Sequence, residues 1–449
     1  MWEHLMSTKE PREADILRPI TTTSSKYYAA VGIAGLAFLL FLVGWFYQLW
    51  EGLIVTGLSD WGTGGGVTWG VYIGAFIWWV GIAHGGIILS AAVRLLGMDR
   101  YMPVARLAEM LTLAGLSAAG FYVIVHMGRP DRMVTSVIGH YHITVHNSPL
   151  VWDVTVITAY FVLTATYLGL TLRYDVSRLR DQLPDHFSPI YSLITFGYSE
   201  REDQVVQRMV WWLALAIIIM APLLLHGGVI PWLFAVLPTY PRWFGGVQGP
   251  QFLTIALTSA ISGVIILSYA FRRAYDWEHI ITDDIFRGLT LWLGFFTLLF
   301  LWLQLQQVTV GTFFPPVDLE VAWAATLEHP VYVFSIGLVT AVLAFIFAQT
   351  IRPSLFSKER SIVCAVAILT ATLLEKVLFV IEGFLHPSFE IYYATPGTYV
   401  PSLIEIASIT GTIGMVALFF LGISKVVPVV ELHAIEHLRD DHGEEESHD

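Results

Sequence analysis

Long apolar segments recur along this chain and constrain its fold more than any other feature. A helix needs roughly 20 apolar residues to cross the hydrocarbon core of a bilayer. By that criterion the sequence predicts about ten spans, near residues 28–50, 67–96, 104–127, 149–172, 207–236, 251–271, 286–308, 329–350, 361–385 and 402–428. Only 13% of the 449 residues are charged, whereas a soluble domain has about 25%. We therefore predict an all-α, polytopic integral membrane helical bundle that forms a single transmembrane domain.

Lysine and arginine are distributed unequally between the two sets of connecting loops. When the loops are assigned alternately to two sides, all but four of the 24 basic residues fall on the side that holds both termini. The other side holds Arg129, Arg132 and Arg242, and Lys376 lies within a span. Basic residues are enriched in cytoplasmic loops, so we predict a cell-membrane protein with both termini in the cytoplasm. The predicted parts are a cytoplasmic N-terminal segment at 1–27, a transmembrane region at 28–428 and an acidic cytoplasmic tail at 429–449.

Composition narrows the classes of function. The formal net charge of −12 argues against nucleic acid as a partner. The single cysteine, Cys364, excludes an intrachain disulfide. It also excludes an iron–sulfur cluster held by this chain alone, because such clusters are held by about four thiolates. Residues 1–26 have no short apolar core before a small-residue cleavage site, so the sequence predicts no signal peptide.

The connection between the third and fourth spans, HMGRPDRMVTSVIGHYHITVHNSPLVWD, concentrates ionisable residues from His126 to Asp153. Ionisable groups at the edge of the hydrocarbon are costly to desolvate and usually serve a function. A quinol needs a hydrogen-bond acceptor and proton sink at each hydroxyl, and a histidine with a carboxylate supplies both. We therefore predict that His126 and Asp153 form a quinol-binding, catalytic pair across a cleft. In the simpler alternative, Asp153 is only an acid near the start of a helix that Asn147 or Ser148 caps.

Two arginines flank an aspartate shortly after His126. Arg129 is predicted to belong to the quinol site. Arg129 and Arg132 are also placed to orient Asp131, and Arg132 and Asp131 are candidate residues for docking a partner protein. A charged outer loop next to the proposed site is a suitable position for such a contact.

Histidines in this connection offer metal and haem alternatives. His140, His142 and His146 have a spacing that a zinc site also uses, but no cysteine lies nearby and the segment is a loop, so we expect no metal. A haem b needs paired axial histidines on neighbouring spans. The interior histidines, His84 among them, do not form such pairs. We therefore predict that this chain alone binds no cofactor.

Two further ionisable residues lie inside the early spans. His84 sits among small residues in GIAHGGII, which predicts a close contact between helices. A hydrogen bond across that contact is one explanation for the histidine, and membership of a proton relay is the other. Glu109 lies two turns inside the third span. Since an unpaired buried carboxylate costs several kcal/mol, we expect Glu109 to be paired, protonated or beside water.

The ninth span carries three ionisable residues in TLLEKVLFVIEG, namely Glu375, Lys376 and Glu382. Glu375 and Glu382 share a helix face, while Lys376 is expected to point elsewhere. Glu405 lies at the start of the last span, and Gln304 with two neighbouring glutamines makes one end of the seventh span polar. Together with the two groups above, these ionisable residues are candidates for a proton pathway through a hydrated interior.

Three blocks of sequence carry a resemblance that covers nearly the whole chain. They are GRP followed by NSPLVWD, WGVYIGAFIWWVGIAHGG on the second span, and LLEKVLFVIEGF with PSLIE at the ninth and tenth spans. With these motifs the chain resembles the NrfD/PsrC family of membrane quinone-reactive subunits, and within it the ActC-type subunit of alternative complex III looks closest. The resemblance implies two four-helix bundles with flanking helices, and no cofactor carried by this subunit.

The resemblance also implies roles for particular residues. Members of the family exchange electrons between the membrane quinone pool and an iron–sulfur protein docked on the outer face. The family's His–Asp quinol pair corresponds to His126 and Asp153, its second-span histidine to His84, and its ninth-span glutamate to Glu375. The family usually has arginine after that glutamate, whereas this chain has Lys376, which lacks bidentate geometry.

These features predict a membrane subunit of a respiratory oxidoreductase complex, with menaquinol or a related quinone as its substrate near the outer face. The expected partner is a ferredoxin-like iron–sulfur subunit, and a molybdopterin-type or cytochrome c protein and a second NrfD-like subunit are further candidates. Without partners the chain is not expected to be catalytic. Two alternatives are a secondary transporter with a midplane site, for which Pro222 supplies one broken helix, and a haem b membrane anchor.

Overall fold

Ten long apolar helices make up the core of the molecule. The computed structural model describes residues 12–58, 67–135, 149–220, 230–237, 239–313, 315–388, 399–436 and 438. The ten helices that are long and apolar enough to cross a membrane within those residues are, in chain order, α1 (Ser25–Glu51), α2 (Val71–Leu95), α3 (Met102–His126), α4 (Pro149–Arg178), α5 (Asp203–Met220), α6 (Gln248–Tyr275), α7 (Asp283–Thr312), α8 (Pro330–Ile351), α9 (Lys358–Leu385) and α10 (Leu403–Ile423). Each predicted span overlaps one of these helices. The predicted all-α fold and the number of spans are therefore confirmed.

The helices are arranged as two four-helix bundles and a flanking pair. In the first bundle α2 packs against α3 and α5, and α4 packs against the same two helices. In the second bundle α6 packs against α7 and α9, and so does α8. Contacts of α2 with α6 and α9 join the bundles, and α1 and α10 form the flanking pair beside α3. This is the arrangement that the resemblance implied.

Because α2 lies where the two bundles meet and α1 belongs to the flanking pair, many more residues are buried in α2 than in α1. Of the 25 residues of α2, 20 are buried between neighbouring helices. In α1 only Ala34, Phe41 and Gln48 are buried, and because they are seven residues apart they form one stripe. Gly411 and Gly414 of α10 lie against Phe41 and Ala34. Small residues allow this close approach, and the remaining apolar surface of α1 suits contact with lipid.

Small residues also bring α2 close to two other helices. A side-chain carbon added at Gly85 would lie 2.4 Å from the carbonyl oxygen of Ala256 in α6. One added at Gly86 would lie 2.8 Å from Thr112 Oγ1 in α3. The close contact predicted around His84 is therefore confirmed, and it involves a helix from each bundle.

The face of the bundle that holds both ends of the described chain, here called the terminal face, is closed by packed segments. Asp15 lies 3.2 Å from His279 Nε2, and Lys425 donates a 2.7 Å hydrogen bond to the Pro19 carbonyl oxygen. Residues 429–432 are also buried. These four residues, VVEL, pack into the end of the first bundle, and the predicted tail boundary at residue 429 stays a prediction. The acidic sequence DDHGEEESHD lies outside the described residues.

The fifth span was expected at 207–236, and its described parts are helical, α5 up to Met220 and a helix at Ile230–Ala235. Pro222, the predicted kink and the transporter's broken helix, lies between them and outside the described residues, so that prediction stays untested.

Candidate functional site

The path of the chain places His126 and Asp153 at the same face, opposite the terminal face. His126 is the last residue of α3, and α4 begins at Pro149. A helix rises 1.5 Å per residue, so Asp153 lies only about 6 Å along the axis from the start of α4. Because α3 and α4 pack against each other, both side chains belong to one end of the first bundle.

Both residues carry a buried polar atom that has no hydrogen-bond partner. Asp153 is 3% exposed and its Oδ1 is unpartnered, as is Nδ1 of the partly buried His126. Neither an ion pair nor a hydrogen bond joins the two side chains, both of which lie within the described ranges. Buried polar groups in proteins are nearly always hydrogen-bonded, so two exceptions at one end of a bundle require an explanation. A ligand with hydroxyl groups would supply both missing partners.

The end of α3 is held by a side chain from the flanking helix. Gln48 Nε2 donates a 3.1 Å hydrogen bond to the carbonyl oxygen of Val125, the residue before His126. The Tyr72 hydroxyl donates to Gln48 Oε1 at 2.5 Å. The last carbonyl groups of a helix lack partners within it, so Gln48 satisfies one of them and fixes this helix end. Neither residue was predicted from the sequence, although a lone amide near the end of an apolar span is a usable signal.

Arg129 and Asp131 form a bidentate ion pair at the surface. Arg129 Nε and Nη2 lie 2.9 and 2.8 Å from the carboxylate oxygens of Asp131. The arginine side chain is 65% exposed, and Arg132 is exposed as well. The hydrogen bonds from Arg129 lower the pKa of Asp131. The predicted orientation of Asp131 by Arg129 is present, and this geometry suits a docking surface better than a buried substrate pocket.

A buried ionic cluster occupies the terminal end of the first bundle. Glu109, which has no exposed surface, accepts hydrogen bonds from Ser90 Oγ at 2.6 Å and Arg94 Nη2 at 3.1 Å. Arg94 also binds Glu431 of the C-terminal segment. Burial acts to raise the pKa of Glu431, but the charges of Arg94 and Arg106 outweigh it and keep that pKa below its ordinary range. The expectation that Glu109 is paired is thus confirmed.

Arg106 anchors the same C-terminal segment from the other side. It pairs with Asp175 of α4 and donates to the carbonyl oxygens of Pro428 and Val430 at 3.3 and 3.4 Å. From the sequence, Arg94 and Arg106 counted only among the basic residues on the side of the termini, and no role was predicted for Asp175 and Glu431. Their partners are distant in the sequence, so only the fold brings these charges together.

A cavity of about 230 Å³ adjoins this cluster. Its lining includes Arg94, Asp175 and Glu431 from the cluster, together with Asp203 and His433 nearer the surface. Several titratable groups thus lie between the terminal face and the neighbourhood of Glu109. This is a suitable environment for taking up protons from that side.

A second ionic cluster lies within α9. Lys376 Nζ is 3.2 Å from Glu375 Oε2 and 3.4 Å from the ring centre of Phe252. The expectation that Lys376 points away from its neighbouring glutamates is therefore wrong, because its long side chain bends back to Glu375 in the buried interior. Glu382, one turn from the end of α9, lies 3.2 Å from His386 and 4.0 Å from His329.

Amide side chains continue the polar interior of the second bundle. Gln251 of α6 donates to Gln304 of α7, and Gln304 donates to the Tyr332 hydroxyl at 2.7 Å. Gln307 Nε2 donates to Gln251 Oε1 at 3.3 Å. The predicted polar end of the seventh span is present.

Nearby, the buried Arg242 stacks 3.9 Å above the ring of Trp323, a contact that the sequence did not indicate.

His84 and Glu405, the two remaining candidates for the proton pathway, have different surroundings. His84 is buried, and its ring centre lies 5.3 Å from that of Tyr160 in α4. Glu405 accepts hydrogen bonds from the backbone N–H groups of Gly57 and Ser402 at 2.7 and 2.9 Å, and from the Tyr399 hydroxyl. These three donors, together with its position as the acid of a capping box, favour a structural role for Glu405.

No group of three His, Cys, Asp or Glu side chains with metal-binding geometry occurs in the part of the chain that the structure describes. His140, His142, His146 and His226 lie outside that part.

A family model described as polysulphide reductase, NrfD, matches residues 61–388, which is more than half of the chain. The match covers α2 to α9 and the connection between His126 and Asp153. The protein is therefore a multi-pass membrane protein, and it belongs to the NrfD family.

Two named relatives align along nearly their whole length. A protein of Halobacterium salinarum, named as a membrane subunit of a dimethyl sulfoxide reductase, is 28% identical over 89% of this chain and 91% of its own. A protein of Mesobacillus selenatarsenatis, named as a subunit of selenate reductase, is 24% identical over 92% of this chain and 95% of its own. Both are thus similar to this protein along about nine tenths of its length.

Proposed function

We propose that this protein is the membrane subunit of a respiratory oxidoreductase complex and that it oxidises menaquinol or a related quinol at the face opposite the termini. The names of the two relatives, both subunits of reductases, support the first part. The second part depends on one observation, the unpartnered buried atoms His126 Nδ1 and Asp153 Oδ1 at the same end of the first bundle. These features favour an oxidoreductase subunit over a transporter or a haem b anchor.

Oxidation of a quinol releases two protons and two electrons. In the proposed site the His126 imidazole accepts the proton of one hydroxyl, and the Asp153 carboxylate accepts the other. The two electrons leave to an iron–sulfur cluster in a partner protein. Gln48 and Tyr72 keep the end of α3, and with it His126, in place.

The iron–sulfur partner is proposed to dock at the same face. Arg129, Asp131 and Arg132 are exposed there, beside the proposed site. A molybdopterin-type or cytochrome c protein and a second NrfD-like subunit are further proposed members of the complex. The resemblance to the ActC-type subunit stays a prediction. The names of the two relatives favour a reductase complex over alternative complex III.

Variants of the two proton acceptors test the site. We expect His126→Ala and Asp153→Asn each to lower quinol oxidation by the purified complex by about 10²-fold or more, the usual contribution of a positioned acid or base. Matched controls are His186→Ala and Asp185→Asn, at exposed positions outside both the pair and the proposed docking surface. Normal turnover in both site variants, with assembly and iron–sulfur content intact, would exclude this location.

We also propose that the complex translocates protons and that the terminal face is cytoplasmic. The cavity beside Arg94 and Glu431 supports an entry path towards Glu109, and His84 lies further along the same bundle. Glu375, Lys376 and Glu382 are proposed to continue the path in the second bundle. The hydrogen bonds of Glu405 favour leaving it out of the path.

A further inference from the structure

A smaller cavity lies at the terminal end of the second bundle, between α7 and α8. Its volume of about 140 Å³ exceeds the roughly 10–15 Å³ that one water molecule requires. Arg287, Thr290, Gln349 and Phe356 are among the residues that line it. None of them belongs to either ionic cluster or to the proposed quinol site.

The amide of Gln349 is the unusual feature of this cavity. The side chain is 6% exposed, and neither Nε2 nor Oε1 has a hydrogen-bond partner among the described residues. Burial of an amide without hydrogen bonds is unfavourable, above all beside hydrocarbon. A molecule in the cavity that both accepts and donates hydrogen bonds would remove this penalty.

The charge of the lining selects an anion. Arg287 is its charged member, and no acidic residue lines the cavity within the described part of the chain. Its guanidinium lies 5.1 Å from the ring centre of Phe356, another residue of the lining. Its contact with Asp284 is long, at 3.9 Å, so most of the five N–H donors of this guanidinium remain for another acceptor.

We propose that the cavity binds the phosphodiester headgroup of an anionic glycerophospholipid. The phosphate oxygens would accept hydrogen bonds from Arg287 and Gln349 Nε2, and a headgroup hydroxyl would donate to Gln349 Oε1. Leu291 and Phe347 are exposed apolar residues of the same two helices, where acyl chains would pack. Basic pockets at the cytoplasmic ends of membrane helices are common sites for such headgroups.

Lipid retention tests the proposal. The full chain in its native complex would be moved into nanodiscs of phosphatidylcholine with a small share of labelled phosphatidylglycerol, and retained lipid would be counted by native mass spectrometry. We expect Arg287→Gln and Gln349→Leu to retain phosphatidylglycerol roughly tenfold less well, equivalent to about 1.4 kcal/mol. Arg360→Gln is the control, because this exposed arginine donates to the Leu355 carbonyl oxygen and does not line the cavity.

Two outcomes separate the possible sources of the phosphate. Release of the lipid by excess inorganic phosphate would support recognition of the phosphate itself. Binding of inorganic phosphate with no retention of lipid in the wild type would overturn the lipid assignment.

Equal retention by wild type and both variants would overturn the site. Arg287 is half-exposed, so its variant should fold, and unchanged quinol oxidation by that variant would show that the two sites are independent.

Discussion

Gln48 connects three helices through one buried amide. It belongs to a helix that is otherwise apolar on its buried stripe, and it binds Tyr72 of α2 and the Val125 carbonyl oxygen of α3. Since Val125 precedes His126, this amide determines where the proposed proton acceptor sits. Residues that act in this way are difficult to find in a sequence, because their role depends on a contact with a distant backbone group.

Replacement of Gln48 by leucine should affect catalysis more than binding. The change leaves the Val125 carbonyl and the Tyr72 hydroxyl unpaired, which costs about 1–3 kcal/mol for each buried group. We expect Gln48→Leu to lower kcat for quinol oxidation about tenfold or more with a smaller change in KM, and Tyr72→Phe to have a weaker effect of the same kind. A loss of thermal stability with normal kinetics would show that Gln48 is only structural.

Glu109 allows proton transfer to be separated from electron transfer. Glu109→Gln keeps the size of the side chain and removes the charge that faces Arg94. In proteoliposomes we expect this variant, and Glu375→Gln, to oxidise quinol while the proton yield falls towards the two protons that each quinol releases. The exposed Glu320→Gln is the control. Full activity with an unchanged proton yield in both cluster variants would contradict the pathway.

At the scale of elements, the contact between α2 and α6 holds the two bundles together. Gly85 lies so close to the Ala256 carbonyl oxygen that no side chain fits between them. We expect Gly85→Ala to destabilise the protein by about 1–3 kcal/mol, as overpacking of a core does. Gly120→Ala is the matched control, because a side-chain carbon there meets nothing within 4 Å. Equal melting temperatures for the two variants in the same detergent would contradict this packing.

The helices were predictable because lipid imposes a simple rule on them. Every span needs a long apolar segment with its backbone groups paired internally, so length and hydropathy located all ten. The segment after α10 was not predictable by this rule. Val427 to Leu432 is too short to cross a membrane, and its burial depends on Glu431 meeting Arg94 and Arg106.

The candidate site was predicted in part. The acid and the histidine at the ends of neighbouring helices followed from the order of residues, since consecutive antiparallel helices bring such ends to one face. The pairing of Lys376 with Glu375 and the burial of Arg242 against Trp323 did not follow. Long cationic side chains reach partners in several directions, and only the packed interior selects one.

At the scale of the whole molecule, the distribution of charge predicts an orientation. The terminal face carries most of the basic residues, and the opposite face carries the proposed quinol site. We expect a fluorescent protein fused to the C-terminus to be bright and an alkaline phosphatase fused there to be inactive, because both reporters would lie in the cytoplasm. The reverse pattern would contradict the orientation and, with it, the proposed direction of proton uptake.

Photolabelling with a quinone analogue would locate the quinol site in the bundle. A photoreactive menaquinone analogue would be bound to the purified complex, activated by light, and located by mass spectrometry of peptides. We predict labelling of the segments around His126 and Asp153, suppressed by excess menaquinol and lost in Asp153→Asn. Labelling confined to the second bundle, around Glu375 and Glu382, would contradict the claim and move the site to α9.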